Sequence, residues 1–332
     1  MRHRLGRGLA VLALASAVAA CSTGAAGGRT SSSTAAGRFT TSTPAASTST
    51  TSTTLPANAV SVVRAPVLIA HTSDGSLGYR EVGAGPPLVM IMGYSGSMDA
   101  WEPSFVDALG RAHRVVIFDN AGISRTSALP LPLTITAMAN QTAALIEALR
   151  LDQPDVLGWS MGGMIAQALA VLHPSLVRRL VLCATLPGNG KATLPSSAAA
   201  KALSNPSKAD APALLSLLFP ANQKKALSAY LGQISEFPNF YVASPAAAKD
   251  QLGALVSWLE GKQPAGRQIS QITAPTLIGD GLDDELVPVA NDHELAGAIP
   301  GAKLALYPDS GHAFLFQYEG EFLDLVQRFL DD

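Results

Sequence analysis

The stretch DVLGWSMGGM, residues 155–164, decides the fold of this chain. An apolar run of strand character ends at Trp159, and a helical pattern begins at Met161, so that Ser160 lies at the junction in a G-x-S-x-G pattern. A sharp strand-to-helix turn strains the serine backbone and exposes its hydroxyl, and the helix N-terminus supplies N–H donors for an oxyanion. The pattern predicts that Ser160 is a nucleophile. The alternative is a glycine-flanked serine in an ordinary tight turn.

Outward from this turn, short apolar runs alternate with helical patterns. The predicted strands are Val67–Ala70, Leu77–Val82, Leu88–Met92, Val115–Asp119, Val156–Trp159, Leu180–Ala184, Thr276–Gly279 and Leu304–Tyr307. The predicted helices between them are Trp101–Leu109, Ile135–Leu149, Met161–Leu172, Val289–Ala298 and Phe314–Leu330. The alternation indicates an α/β fold, with a mostly parallel eight-stranded sheet covered by helices on both faces. The first two strands lack an intervening helix, which predicts an antiparallel edge.

One region interrupts the alternation. Residues 187–271 show Ala- and Leu-rich helical patterns without a strand, and a plain loop of that length is improbable in a compact domain. We interpret this region as a helical cap inserted after the sixth strand and folded over one end of the sheet. Residues 60–186 and 272–332 are then the two parts of one core.

A serine hydroxyl needs a base to take its proton. Among six histidines, His312 follows the last predicted strand. Loops after the carboxyl ends of parallel strands gather at one edge of the sheet, so His312 is expected on the same edge as Ser160. The alternative for His312 is an ordinary residue near a helix start. A third group must orient the base, and the candidates after the preceding strand are Asp280, Asp283, Asp284 and Glu285.

Four places in the chain resemble the α/β-hydrolase superfamily, and the resemblance covers about residues 65–332. They are Met92-Gly93-Tyr94, Asp119-Asn120-Ala121-Gly122, Gly158–Gly162 and the pair Asp284/His312. Residues 284–288 are similar to the D-x-x-V-P pattern of that family, which favours Asp284 as the acid, with Asp283 next. The resemblance implies a serine hydrolase with a triad of Ser160, Asp284 and His312, in that chain order.

The resemblance also implies an oxyanion hole made by two backbone N–H groups. One belongs to Met161, which follows the nucleophile, and the other belongs to Tyr94, in the loop after the Leu88–Met92 strand. Family members often carry His-Gly where this chain has Met92-Gly93, a difference that removes a side chain but no backbone donor. The alternative is a glycine-rich turn without a donor role.

Composition excludes several other classes of function. Hydrophobic residues make up 48% and charged residues 14%, and the formal net charge is -2, so the basic footprint of a nucleic-acid binder is missing. The chain has no His-x-x-x-His or Cys-x-x-Cys spacing and no phosphate-binding or dinucleotide fingerprint, so no metal or cofactor is expected. Two cysteines cannot form a disulfide scaffold, and Cys183 is expected to be an inert buried thiol.

The first residues have the pattern of a signal peptide. A basic start, Met1–Gly8, precedes the apolar run Leu9–Ala20, and small residues precede Cys21, which resembles the lipobox of bacterial lipoproteins. We therefore expect a signal at residues 1–20, acylation of Cys21 and an exported protein held on the extracytoplasmic side of the bacterial cell membrane by its N-terminal lipid alone. An ordinary signal peptide is the alternative. Residues 21–59, rich in Ser and Thr, are predicted to form a disordered linker.

The function expected from these observations is hydrolysis of a carboxylic ester or thioester of an apolar small molecule through an acyl-enzyme, as in carboxylesterases. The same triad also serves C–C bond or amide hydrolysis and perhydrolase or haloperoxidase-like chemistry. A non-catalytic, ligand-binding lipoprotein on this fold is a further alternative.

Overall fold

A single sheet of eight strands organises the body of the molecule. The computed structural model describes residues 61–204 and 211–332. The strands are β1 (Leu68–Thr72), β2 (Gly75–Val82), β3 (Pro87–Ile91), β4 (Arg114–Phe118), β5 (Asp155–Trp159), β6 (Leu180–Cys183), β7 (Thr276–Gly281) and β8 (Lys303–Tyr307). Each boundary lies within about two residues of its predicted position, which is the usual uncertainty of element ends. The predicted α/β sheet is confirmed.

The strand order places the candidate site. The order in the sheet is β1-β2-β4-β3-β5-β6-β7-β8. Strand β2 pairs antiparallel with β1 on one side and with β4 on the other, and all other pairs are parallel. The predicted antiparallel edge is therefore confirmed. The chain reverses its direction of travel across the sheet between β3 and β5. In open α/β sheets, ligands bind at the carboxyl ends of the strands beside such a switch point.

Helices cover both faces of the sheet, and the helices on each face bury every second residue of the central strands. The core helices are α1 (Pro103–Leu109), α2 (Ile135–Ala148), α3 (Met161–Leu172), α9 (Ala290–Ala298), α10 (Phe314–Gln317) and α11 (Glu319–Asp331). In β3, Val89 and Ile91 join the hydrophobic core under α2 and α3, whereas Leu88 and Met90 join the core under α1 and α11. This division follows from the two-residue period of a strand. It explains why the central strands are apolar at every position.

Between β6 and β7 lies a helical segment, which we call the cap, and its described residues form five helices. They are α4 (Ser197–Ser204), α5 (Ala211–Leu218), α6 (Lys224–Ile234), α7 (Pro245–Leu259) and α8 (Pro264–Arg267). The cap also contains short 3-10 turns at Ala221–Gln223 and Ile269–Gln271, and the core contains two more at Met98–Ala100 and Pro174–Leu176. The cap lies where a helical insertion after the sixth strand is expected. The predicted boundaries at residues 60, 187 and 272 stay predictions.

Two of the predicted helices differ from the structure. The helix expected at Trp101–Leu109 begins only at Pro103, since Glu102 precedes a proline and is extended. The single helix expected at Phe314–Leu330 is two helices, α10 and α11, separated at Tyr318. Residues 313–316 are all buried, whereas α11 is amphipathic. Tyr318, with φ -113° and ψ 36°, lies outside the helical region and separates the fully buried turn from the amphipathic helix.

The signal, the lipidation at Cys21 and the linker predicted for residues 1–59 lie outside the residues that the structure describes. Within residues 61–204 and 211–332, no helix is both long enough and apolar enough to cross a membrane.

Candidate active site

Ser160 lies at the sharp turn between β5 and α3. Its backbone has φ 58° and ψ -121°, a conformation that few residues other than glycine adopt. The Ser160 N–H donates to the Cys183 carbonyl at 2.8 Å, and the Ser160 carbonyl accepts from the Thr185 hydroxyl at 2.7 Å. These bonds fix the strained turn on both sides. The serine is the N-cap residue of α3, but its side chain makes no capping hydrogen bond there.

Glycines make this turn possible because their neighbours come too close for a side chain. A methyl group on Gly162 would collide with the carbonyl of Ile91, and one on Gly158 would collide with the carbonyl of Gly162. A methyl group on Gly93 would lie 3.2 Å from the Ser160 Cβ. The G-x-S-x-G pattern therefore reflects close packing of α3 against the ends of β3 and β5.

The candidate base and one candidate acid are in direct contact. His312 is 1% exposed, and its Nδ1 lies 2.6 Å from Oδ2 of Asp284. The other carboxylate oxygen of Asp284 accepts the N–H groups of Leu286 and Val287, at 2.7 and 2.9 Å. A carboxylate beside Nδ1 assigns the ring proton to Nδ1 and leaves Nε2 as the basic nitrogen. Asp284 is thus fully occupied in holding one orientation of the imidazole.

The remaining acid candidates do not contact the histidine. Asp283 and Glu285 are exposed, and Asp280 is buried with its Oδ1 accepting the N–H of Gly281 at 2.7 Å. Burial and the nearby charges of Asp284 and Asp292 raise the pKa of Asp280 well above its usual range. Burial, with the charge of Asp284 as a further cause, raises the pKa of Asp292 to about 8. Two protonatable carboxyls therefore lie behind the acid that contacts the histidine.

The two candidate oxyanion donors lie on either side of the serine. Met161 is the first residue of α3, where a helical N–H has no partner within the helix. Tyr94 follows β3, in a turn closed by the Gly96 N–H donating to the Gly93 carbonyl at 3.3 Å. Among the residues described, we find no acceptor for the N–H of Tyr94 or of Met161. Both amides are available to a ligand.

The loop after β4 supports the loop that carries Tyr94. Asn120 donates its side-chain amide to the Met92 carbonyl at 2.8 Å, and Asp119 accepts the N–H of Met98 at 2.7 Å. Burial raises the pKa of Asp119 to about 7. This loop therefore supports its neighbour through side chains and does not itself line the cavity beside the serine.

Ser160, His312 and Tyr94 line one small cavity of about 40 Å³. Its other walls are apolar and come from core and cap alike: Met164, Leu186, Pro195, Leu255, Leu259, Leu286 and Val287. A pocket of this kind suits an apolar small molecule with one polar centre. A second cavity of about 30 Å³ lies beyond Tyr94, between Trp159 and the cap residues Tyr230, Phe240 and Tyr241.

The cap also binds the loops that carry the candidate site, which the sequence analysis missed. The N–H groups of His312 and Ala313 donate to the carbonyls of Leu217 and Leu218, at 3.3 and 3.0 Å. Gln251 of α7 accepts the N–H of Ser95 at 2.8 Å. The available signal was a glutamine on the face of α7 that also carries Ala247, Ala254, Leu255 and Trp258, because a polar residue at a buried helical position needs a partner.

Within the described residues, no group of three or more His, Cys, Asp and Glu side chains could hold a metal ion. Cys183 is fully buried at the end of β6, and burial raises the pKa of its thiol well above the usual value.

The chain is similar to known proteins over most of its length. Residues 86–318 match the family model described as alpha/beta hydrolase fold. A protein named "Putative carbamate hydrolase RutD", from Serratia proteamaculans, is 31% identical over 70% of this chain and 86% of its own length. A protein named "Putative non-heme bromoperoxidase BpoC", from Mycobacterium tuberculosis, is 33% identical over 73% of this chain and 92% of its own length.

A solved structure shares the fold. It is an alpha/beta hydrolase fold protein from Chitinophaga pinensis, with a TM-score of 0.71 and 28% identity. The similarity covers 82% of this chain and all of that one.

Proposed function

Because this chain belongs to the alpha/beta hydrolase fold family, we propose that it is a serine hydrolase that cleaves a carboxylic ester or thioester of an apolar small molecule. In this proposal Ser160 is the nucleophile, His312 is the general base and Asp284 orients the base. The N–H groups of Tyr94 and Met161 form the oxyanion hole.

One observation carries the proposal. An imidazole held by a carboxylate at 2.6 Å faces the same cavity as a serine on a positive-φ turn. A ligand-binding site has no need for this combination, whereas nucleophilic catalysis needs all three groups.

The first half of the reaction follows from the groups in place. The Ser160 hydroxyl adds to the carbonyl carbon while its proton passes to Nε2 of His312. The carbonyl oxygen becomes an oxyanion, which the two backbone N–H groups stabilise. Asp284 stabilises the imidazolium and keeps Nδ1 protonated. The imidazolium then protonates the leaving alcohol or thiol, the C–O or C–S bond breaks, and an acyl-serine remains.

The second half repeats these steps with water. His312 takes a proton from water, the resulting hydroxide adds to the acyl carbon, and a second oxyanion occupies the same two donors. Return of the proton to the Ser160 oxygen breaks the acyl-enzyme bond and releases the acid. The apolar walls supplied by Leu186, Leu255 and Leu259 favour an uncharged acyl or alkyl group beside the serine.

The test is covalent labelling of the purified full chain with a fluorescent fluorophosphonate, together with turnover of p-nitrophenyl esters of graded acyl length. We expect labelling and turnover in the wild type. Ser160→Ala should abolish labelling, and His312→Ala should abolish labelling and turnover, because the serine is then not activated. Ser216→Ala, on the exposed surface of α5, is the matched control and should label like the wild type. Undiminished labelling of Ser160→Ala, or no turnover of any ester or thioester, would refute the assignment.

The bromoperoxidase name of one relative favours a second candidate reaction. If hydrogen peroxide replaces water at the acyl-enzyme, the product is a peracid, which can oxidise bromide. The readout is bromination of monochlorodimedone in the presence of acetate, peroxide and bromide. Bromination that requires Ser160 and exceeds ester hydrolysis would make this the main reaction.

We also propose that the protein is exported and anchored by acyl chains on Cys21. The support is the basic start, the apolar run and the small residues before the cysteine. In a bacterial host fed a clickable palmitate analogue, the wild type should incorporate label and enter the detergent phase of Triton X-114. Cys21→Ala should lose both, whereas Cys183→Ala, the only other cysteine, should keep both. Labelling that survives Cys21→Ala would overturn the anchoring.

A further inference from the structure

The side chain of Gln251 joins the cap to two loops of the core. Gln251 is completely buried in α7. Its Oε1 accepts the N–H of Ser95 at 2.8 Å, and its Nε2 donates to the carbonyl of Ala121 at 3.3 Å. Both ends of the carboxamide are therefore used on backbone groups of the core, one after β3 and one after β4.

The bond to Ser95 acts on the loop that carries Tyr94. Ser95 has φ 56°, in the left-handed region, and glycines flank the pair at Gly93 and Gly96. A loop with two glycines and a strained residue has several accessible conformations unless an outside bond selects one. The Ser95 N–H belongs to the peptide unit that follows Tyr94, so holding it restricts the backbone of Tyr94. The outside bond comes from the cap.

We propose that Gln251 is a positioning residue that holds the Tyr94 amide in the orientation that the oxyanion requires. The cap therefore completes the oxyanion hole in addition to covering the pocket. This inference rests on the proposed function. It adds a role for a residue that neither lines the cavity beside Ser160 nor contacts the reacting atoms.

A second cap glutamine provides a matched control. Gln263 is 4% exposed, its Oε1 accepts the N–H of Thr136 at 3.0 Å, and its Nε2 donates to the carbonyl of Ala254 at 2.9 Å. It is buried and ties the cap to the core as Gln251 does. Its core partner is at the start of α2, and Gln263 makes no hydrogen bond to the Tyr94 loop. Replacing Gln263 should therefore show how Tm, kcat and KM change when the cap is loosened and the Tyr94 loop is left in place.

The experiment compares Gln251→Met and Gln263→Met in the full chain. Methionine keeps the length of the side chain and removes both hydrogen bonds. Both variants should lower Tm by similar amounts. Only Gln251→Met should lower kcat, by roughly 10- to 100-fold with little change in KM, because complete loss of one oxyanion donor costs about 10²- to 10³-fold. Gln251→Glu keeps an acceptor for the Ser95 N–H and should recover part of the loss.

A second readout is independent of turnover. An alkyl trifluoromethyl ketone adds to the catalytic serine and places an alkoxide in the oxyanion hole, so its Ki should rise in Gln251→Met in parallel with the fall in kcat. Equal kcat and equal Ki in the two methionine variants, measured below both Tm values, would overturn the positioning role and leave the proposed function intact. Absence of both turnover and fluorophosphonate labelling in the wild type would overturn the two together.

Discussion

The sheet core and the cap contribute different things to the same cavity. Ser160, His312 and Asp284 come from loops at the carboxyl ends of core strands, where backbone hydrogen bonds fix each one. The cap contributes apolar walls through Leu255 and Leu259, and it holds core loops through hydrogen bonds. In the proposed reaction the core therefore supplies the reacting side chains, whereas the cap supplies pocket walls and, through Gln251, support for the Tyr94 loop. Changes in the core should therefore reduce the rate or the stability, and changes in the cap wall should alter substrate preference.

The largest effect should come from Asp284, the core carboxylate that contacts the proposed base His312. In Asp284→Asn, the amide nitrogen must face either Nδ1–H of His312 or the N–H groups of Leu286 and Val287, so the imidazole loses its orientation. We expect kcat on p-nitrophenyl esters to fall by about 10³- to 10⁴-fold. Asp283→Asn, one residue away and exposed, is the control and should remain active. An active Asp284→Asn enzyme would mean that the core does not supply the orienting acid.

A pair of glycine substitutions tests the same contrast in stability. Gly162→Ala places a methyl group against the Ile91 and Met92 carbonyls, and should lower the free energy of unfolding by about 2–4 kcal/mol or prevent folding. Gly253 lies in the cap helix α7 with nothing within 4 Å of its added methyl group, so Gly253→Ala should raise stability by about 0.5–1 kcal/mol. Urea denaturation measures both, and a stable Gly162→Ala would contradict the close packing of the turn.

A change in the cap wall should alter selectivity and leave the chemistry in place. Leu255→Ala enlarges the cavity beside Ser160 and should therefore favour longer acyl chains. The ratio of kcat/KM for a longer ester to kcat/KM for the ester that the wild type prefers should rise by roughly 10-fold. Labelling by the fluorophosphonate should persist. Leu252→Ala, in the same helix but outside the cavity wall, controls for loss of helix packing. An unchanged chain-length profile in Leu255→Ala would remove the cap from substrate selection.

A pH-dependent effect on stability should come from the buried carboxyls of the core. Asp292 has a pKa of about 8 in the folded chain, raised chiefly by burial, and the unfolded value is near 4. Between pH 4 and 8 the folded state binds more protons at Asp292 than the unfolded state does. The contribution of Asp292 to the free energy of unfolding is therefore complete below pH 4 and declines as the pH rises to about 8. Asp292→Asn should therefore lose less stability between pH 5 and 8 than the wild type. Urea midpoints at these pH values measure the slope, and the exposed Asp152→Asn is the control. If the urea midpoint of Asp292→Asn fell with pH as steeply as that of the wild type, Asp292 would not be the cause of the pH dependence.

Much of the core was predictable because its signals are local. Short apolar runs such as Leu180–Cys183 are typical of buried strands, and the glycines at 158 and 162 mark the sharp turn around Ser160. The choice of Asp284 over Asp283 depended on a family pattern, because neighbouring carboxylates differ only in which way the loop points them. Nothing in the sequence around Gln251 names Ser95 as its partner, since the contact spans 156 residues. The turn at Tyr318 was missed for a similar reason, because the packing of α10 against the core decides it.

The position of Trp159 gives this protein a built-in optical reporter. Its ring centre lies 5.7 Å from the imidazole of His312, its indole nitrogen donates to the His312 carbonyl at 3.0 Å, and Trp101 lies 6.0 Å behind it. A cationic imidazole quenches indole fluorescence far more strongly than a neutral one. Emission from the unlabelled protein should therefore dim as the histidine gains its proton and recover as the proton leaves. Stopped-flow fluorescence could follow the charge on the base during a single turnover without any dye.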